Sequence, residues 1–164
     1  MKLAKSLALI LVGCFCLQTG ILGEESRAPS LIPVALPRNG EVTHYAKEEL
    51  LAPLRINSST SHAFVKLTKV GSRIPVLTMF VRAGQSAETD APLGTYEVKH
   101  ATGQTRYGEE ELFGPETDFN QAQTILHFKK IPTLEGYEVS GSAITLYKVR
   151  NGNLDTKKIK KEDF

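Results

Sequence analysis

From Leu54 onward, apolar and polar residues alternate with period two in short runs, the repeat of half-buried strands rather than the 3.6-residue repeat of a helix. Leu54 and Ile56 alternate with Arg55 and Asn57, and Val65 and Leu67 with Lys66 and Thr68. In Val76 to Arg82, Leu77, Met79 and Val81 share one face while Val76 and Phe80 make the other partly apolar. That stretch predicts a central strand covered on both sides. Tyr96, Val98 and His100 alternate with Glu97 and Lys99, and Leu126 with Phe128 and Ile144 with Leu146 mark one face each of two later strands. The breaks carry turn chemistry: Gly71-Ser72, Ala83-Gly84, Pro92-Leu93-Gly94, Thr102-Gly103, Gly114-Pro115 and Asn151-Gly152. The pattern predicts an all-β fold over residues 51–164, a small antiparallel β-sandwich of Ig-like or transthyretin-like kind. A domain of this length buries roughly two thirds of its unfolded surface, so it requires neither a metal nor a disulfide.

The chain ahead of this domain reads differently. Glu24 to Gly40 contains Pro29, Pro33 and Pro37, which predicts an extended arm over 24–50. Within it Thr43 caps a short helical turn through Glu49 that Pro53 ends. The first residues carry Lys2 and Lys5, then run apolar from Leu7 to Leu17, with no charge until Glu24. A basic start followed by such a run is the layout of a signal peptide, here 1–23. The run is interrupted by Gln18, Thr19 and Gly20 before the roughly 20 residues that a permanent span needs.

Both cysteines, Cys14 and Cys16, lie in this leader. Leu11-Val12-Gly13-Cys14 resembles the lipobox of bacterial lipoproteins, which implies a signal ending at 13 and a lipid attached to Cys14. The alternative is cleavage after Gly23, with both cysteines as small apolar filler of the h-region. An uncleaved amino-terminal anchor is the third reading. One intervening residue leaves little room for the torsion of a disulfide between them, and the domain has no cysteine of its own. The expected location is exported, periplasmic or on the outer surface, lipid-anchored to a bacterial membrane where Cys14 is acylated.

Charge narrows the classes of partner. The chain has 20 Lys plus Arg against 18 Asp plus Glu, and loss of Lys2 and Lys5 with the leader leaves 18 of each sign. A neutral, mixed-charge domain lacks the clustered basic stripe of a nucleic-acid binder. Lys157, Lys158, Lys160 and Lys161 are diluted by Glu162 and Asp163 and read as a solvated, frayed tail. The same charged residues, ending at Phe164, are incompatible with a lipid-facing barrel strand.

The inventory for catalysis is thin. Gly-x-Ser-x-Gly, His-Glu-x-x-His and a phosphate loop are all absent, and His44, His62, His100 and His127 sit in separate segments without ligand spacing. No cofactor and no metal site is expected. The densest acidic run, Glu109-Glu110-Glu111, follows Arg106-Tyr107-Gly108 and precedes Leu112-Phe113. Arg106, Tyr107, Glu109, Glu110, Glu111 and Phe113 therefore form the candidate interaction loop, presenting carboxylates and aromatics to a partner. Its structural reading is a solvated strand edge whose like charges oppose aggregation.

The stretch "VLTMFVRAGQSAETDAPLGTYEVKHATG", Val76 to Gly103, resembles bacterial envelope domains of the PEGA and carboxypeptidase-regulatory-like kind. "GTYEVKHATGQTRYGEEELFGP", which overlaps it, is similar to a domain of uncharacterised bacterial proteins. The resemblance implies adjacent strands of a small sandwich and a non-catalytic fold, and carries no catalytic residue onto this chain. The resulting expectation is an exported, non-enzymatic envelope protein that binds a protein or envelope component. An inhibitor or immunity-type protein that blocks a secreted enzyme through Tyr107 to Phe113 is the alternative. A small hydrolase is the third, and it requires a pocket holding paired carboxylates or a His-carboxylate pair.

Overall fold

The computed structural model describes residues 31–146 and 155–164. The leader with Cys14, the first part of the arm and the Asn151-Gly152 turn lie outside the described residues. Leu31 to Phe164 belong to one compact unit, a β-sandwich. Its strands are β1 (Glu41–His44), β2 (Leu50–Ser58), β3 (His62–Lys69), β4 (Pro75–Val81), β5 (Ser86–Pro92) and β6 (Gly94–Gly103). They continue with β7 (Asp118–Ala122), β8 (Leu126–Phe128), β9 (Lys130–Thr133), β10 (Gly136–Val139), β11 (Ser142–Leu146) and β12 (Thr156–Lys158).

One sheet runs β1-β4-β3-β6-β7-β12, with β8 pairing the start of β6 while β7 pairs its end. The facing sheet is β11-β2-β5. The chain changes sheet between β1 and β2, between β2 and β3, between β4 and β5, and between β5 and β6, and these short connections close the two layers over the space between them. Among the described residues every pairing is antiparallel except that of β11 with β2, so the antiparallel β-sandwich that the sequence predicts carries one parallel pair at an edge.

Alternation sorts the side chains as period two requires. Leu54 and Ile56 of β2, Val65 and Leu67 of β3, Leu77 and Met79 of β4, and Tyr96 and Val98 of β6 are essentially inaccessible and fill the space between the sheets. β4 is buried on both faces, as its sequence predicts, because Phe80 enters a second apolar cluster on the outer side of the larger sheet. Ala101, Leu112 and Phe113 complete that cluster, with Leu36, Phe64, Phe119 and Phe164 packed against it. The domain thus has two cores, one inside the sandwich and one between a sheet and the segments lying over it.

Those covering segments correct three expectations. Of the predicted arm, the described part is docked: Val34 N donates to Arg106 O at 2.8 Å, and Arg82 donates to the carbonyls of Pro37 and Leu36 at 3.0 and 3.3 Å. The helical turn from Thr43 to Glu49 does not form. Thr43 and His44 pair with Thr78 and Leu77 of β4, and the N–H groups of Tyr45 and Ala46 both donate to Val76 O. An exposed sheet edge satisfies those backbone groups and leaves none for a helical turn. The basic tail is likewise held: Lys157 and Lys158 lie in β12 against β7, and Lys161 Nζ is 2.9 Å from Glu111 Oε2. Phe164 packs its ring 5.1 Å from that of Phe119, under Lys66 Nζ at 4.2 Å.

Candidate functional site

The loop after β6 is built around a buried cation. Arg106 is 2% exposed, its guanidinium lying over Phe64 at 5.3 Å and Phe80 at 5.7 Å. Nη2 donates to Glu109 Oε1 at 2.7 Å, while Nη1 is buried without a hydrogen-bond partner. Tyr107 N donates to Leu112 O, and Leu112 N to Gly108 O, closing a tight turn in which Leu112 takes φ 49. A non-glycine residue there is strained, and burial of its side chain in the second cluster offsets that cost. Phe113 fits because Gly103 has no Cβ: one added there would overlap the Phe113 side chain.

The six residues singled out in this loop therefore face different ways. Arg106 and Phe113 are packed inside, and Tyr107 is half-buried against Gly114, where a Cβ would meet its ring at 2.9 Å. Glu109 and Glu111 are engaged by Arg106 and Lys161. Glu110 is exposed and makes no ion pair with a described residue. The loop presents carboxylates to solvent and keeps its large aromatics for the core.

A second site lies inside the sandwich, at the end where β2 turns into β3. A chamber of about 220 Å³ is lined by Ser58 to Ser61 on one side and by His100, Thr102, Asp118, Asn120, Leu146 and Thr156 on the others. His100 faces Asn120 and Thr102 faces Asp118 across the β6–β7 ladder. His100 is 6% exposed, and its Nδ1 is buried without a partner. Burial holds the imidazole at a pKa of about 4, with the Asp118 carboxylate opposing the shift, so the ring is neutral at pH 7. Asp118 itself pairs with Lys158 at 3.0 Å.

This chamber contains a His-carboxylate pair, the feature required of a hydrolase, but not the connections that would activate one. Among the described residues no hydrogen bond joins His100 to Asp118 or to a hydroxyl. Ser58 Oγ donates to Ser61 O at 2.5 Å, and Ser59 Oγ to Leu146 O at 3.2 Å, so these hydroxyl protons are given to backbone carbonyls. A nucleophile requires its base within hydrogen-bond reach and the base held by a third group. No group of three or more His, Cys, Asp or Glu able to hold a metal occurs among the described residues.

No protein-family model, curated protein or solved structure matches the chain. Among the described residues no helix is long and apolar enough to cross a membrane.

The third feature is the hairpin β9–β10, a two-stranded sheet separate from both layers. All its strand residues are exposed except Val139, which packs against the core at its base. Ser140 clamps that base, its Oγ accepting from Lys129 N at 2.8 Å and its N–H donating to Lys129 O. Leu134 at the turn is fully exposed, and Ile131 and Tyr137 are 48% and 59% exposed, with Lys130 Nζ 4.3 Å from the Tyr137 ring centroid. The pattern Ile131-Pro132-Thr133-Leu134-Glu135-Gly136-Tyr137 holds a hairpin signal, apolar residues around a short turn ending in glycine. The chamber had a signal too: the apolar face of Tyr96 and Val98 continues into His100 and Thr102, polar residues at interior positions.

Proposed function

We propose that the chain is an exported, non-enzymatic binding module of the cell envelope, and that the hairpin β9–β10 is the element that meets a protein partner. The observation that carries this reading is the exposure of Ile131, Leu134 and Tyr137 on a hairpin that contributes little to either core. An isolated two-stranded hairpin is marginal in water, and its apolar side chains are exposed on both faces, Tyr137 beside Pro132 on one and Ile131 beside Glu138 on the other, which favours association. A protein surface suits this hairpin better than a lipid one, because Glu135 and Glu138 flank the apolar residues and are costly to carry into hydrocarbon. The signal-peptide layout of the leader supports export, and the resemblance of Val76 to Gly103 to envelope sandwich domains supports a non-catalytic fold. An inhibitor acting through Tyr107 to Phe113 would have to use the carboxylates of Glu109 and Glu110, since Arg106 and Phe113 are packed away.

Photo-crosslinking in intact cells separates the two readings. A photoreactive residue at Leu134 or Tyr137 is expected to give an adduct of one discrete mass, and Ile131→Ser is expected to abolish it. An adduct from position 110 alone would favour the inhibitor reading. Absence of any adduct from the hairpin positions would sink the proposed one.

A further inference from the structure

We propose that the polar chamber between β2, β6, β7 and β11 is a binding site for a small, neutral, polyhydroxylated ligand, about one sugar ring in size. This inference does not depend on the hairpin.

The argument begins with what the alternation places inside. His100 and Thr102 follow Tyr96 and Val98 on the interior face of β6, and Asp118 and Asn120 precede Ala122 on the interior face of β7. They are direct cross-strand partners, so four polar side chains form one contiguous patch where the rest of the sheet is apolar. Stability alone favours apolar residues at interior positions, because a buried polar group is costly unless it is hydrogen-bonded. His100 Nδ1 is not: it is more than nine-tenths buried with its residue and lacks a partner. The Asp118 carboxylate pairs with Lys158 and Asn120 Nδ2 donates to Asp118 O at 3.4 Å, while His100 Nδ1, in the lining of the cavity, has no partner.

Charge and hydrogen-bonding capacity define what fits. Asp118 is neutralised by Lys158, and burial keeps His100 uncharged at neutral pH. With no Lys or Arg in its lining, the chamber offers no counter-charge to phosphate or carboxylate groups, and a single paired carboxylate is a poor seat for a hard cation. Ser58 and Ser59 give their hydroxyl protons to Ser61 O and Leu146 O, leaving oxygen lone pairs in the lining. Thr102 and Asn120 bring donors to the same lining, so it offers both donors and acceptors, and a ligand of hydroxyl groups, which donate and accept alike, complements it. Leu146 is the one apolar side chain of the lining, which leaves little for an apolar or aromatic molecule to contact. The volume of about 220 Å³ falls below the roughly 300–1,000 Å³ of sites for drug-sized molecules, which matches a single ring.

A free monosaccharide and the terminal ring of a glycan share this chemistry, and the experiment separates them. The full chain, isotope-labelled, is titrated with glucose, N-acetylglucosamine, glycerol, a tetrasaccharide of each sugar and inorganic phosphate. Backbone and imidazole chemical shifts are followed. The expected result is saturable binding of at least one hydroxylated ligand, with shifts confined to Ser58–Ser61, His100, Thr102, Asp118 and Asn120. Binding of the single ring alone identifies a free sugar, and binding of the tetrasaccharide identifies a glycan end. Thr102→Val, which removes a hydroxyl at nearly constant shape, is expected to weaken binding about tenfold, the worth of one good hydrogen bond. Asn120→Ala provides a second variant, and each is compared at an unchanged unfolding midpoint. No saturable shift at the chamber with any of the hydroxylated ligands, phosphate binding in their place, or undiminished affinity in both variants would overturn the proposal.

Discussion

Removing the Glu109 carboxylate tests whether the loop after β6 is organised around a buried cation. Arg106 is 2% exposed, so its guanidinium has given up nearly all its hydration, and the 2.7 Å ion pair with Glu109 is its compensation. Glu109 is 80% exposed and loses little water on forming the same pair. An ion pair between two exposed partners contributes about 0.2–1 kcal/mol. Breaking a fully buried pair by removing one partner costs about 3–5 kcal/mol. This pair has one member of each kind, and Nη1 already lacks a partner, so Glu109→Ala is expected to cost about 1–3 kcal/mol.

The companion variant is Arg106→Met, which keeps an unbranched stem over Phe64 and Phe80 and removes the charge. Loss of the cation–π contact costs about 0.5–2 kcal/mol, and relief of the desolvated cation offsets it, so the net change is expected within about 1 kcal/mol of zero. In that background Glu109→Ala should cost under about 0.5 kcal/mol, since the surface carboxylate then has no buried partner. Urea unfolding reads the difference: with a slope of about 1–3 kcal/mol per molar, a 2 kcal/mol loss moves the midpoint by about 1 M. If Glu109→Ala unfolds with the wild type, or if it costs as much in the Arg106→Met background, the guanidinium is not stabilised by that carboxylate. A triple Glu109, Glu110 and Glu111 to Ala replacement is consequently a poor probe of binding, because it also destabilises the loop.

The pH dependence of stability should carry the mark of His100. Its folded pKa of about 4 lies below the ordinary 6.5, so between these values the unfolded chain binds the proton and the folded one does not. Stability is therefore full above about pH 6.5 and falls as pH drops toward 4, and His100→Asn is expected to flatten that limb of a urea-midpoint series; an unchanged slope would contradict the burial of a neutral ring. His62, also held below its usual pKa by burial and by Arg82, contributes in the same direction and remains as the residual slope. Gly103→Ala should cost about 1–3 kcal/mol by displacing Phe113 from the second cluster, and Phe113→Ala in the same chain should not restore it, because the Cβ at position 113 that the added methyl overlaps is kept. A wild-type midpoint for Gly103→Ala would mean that Phe113 is not held against that glycine.

The strands were legible because period two is imposed by one apolar layer, and Leu54, Ile56, Val65, Leu67, Tyr96 and Val98 all serve that layer. The second cluster was harder to read, because its members come from segments without periodicity. Leu36 lies in the proline-rich arm, Leu112 and Phe113 are a pair between an acidic run and Gly114, and Phe164 follows charged residues near β12. In sequence such residues look like loop aromatics free to meet a partner, and only the outer face of β3 and β4, with Phe64 and Phe80, explains where they go. The same cause misplaced the helical turn and the tail: backbone donors near Tyr45 and Lys157 had a sheet edge to pair with that local propensity cannot express.

The chamber inverts this lesson. His100 was visible as the third member of an apolar alternation, and a histidine at such a position ordinarily becomes one more core residue. What distinguishes it is the strand beside it, since only the β6–β7 register puts Asn120 opposite His100 and Asp118 opposite Thr102. Each strand alone shows a polar residue or two at an interior position, which a fold tolerates near its rim. Four of them in register line one cavity, and the buried nitrogen of His100 that lacks a partner there is costly as packing and useful for recognition. The two outward-looking candidates thus exchange roles: the acidic loop, conspicuous in sequence, spends its aromatics on the fold, whereas an interior face that sequence alternation marks as core retains the unspent hydrogen-bonding capacity.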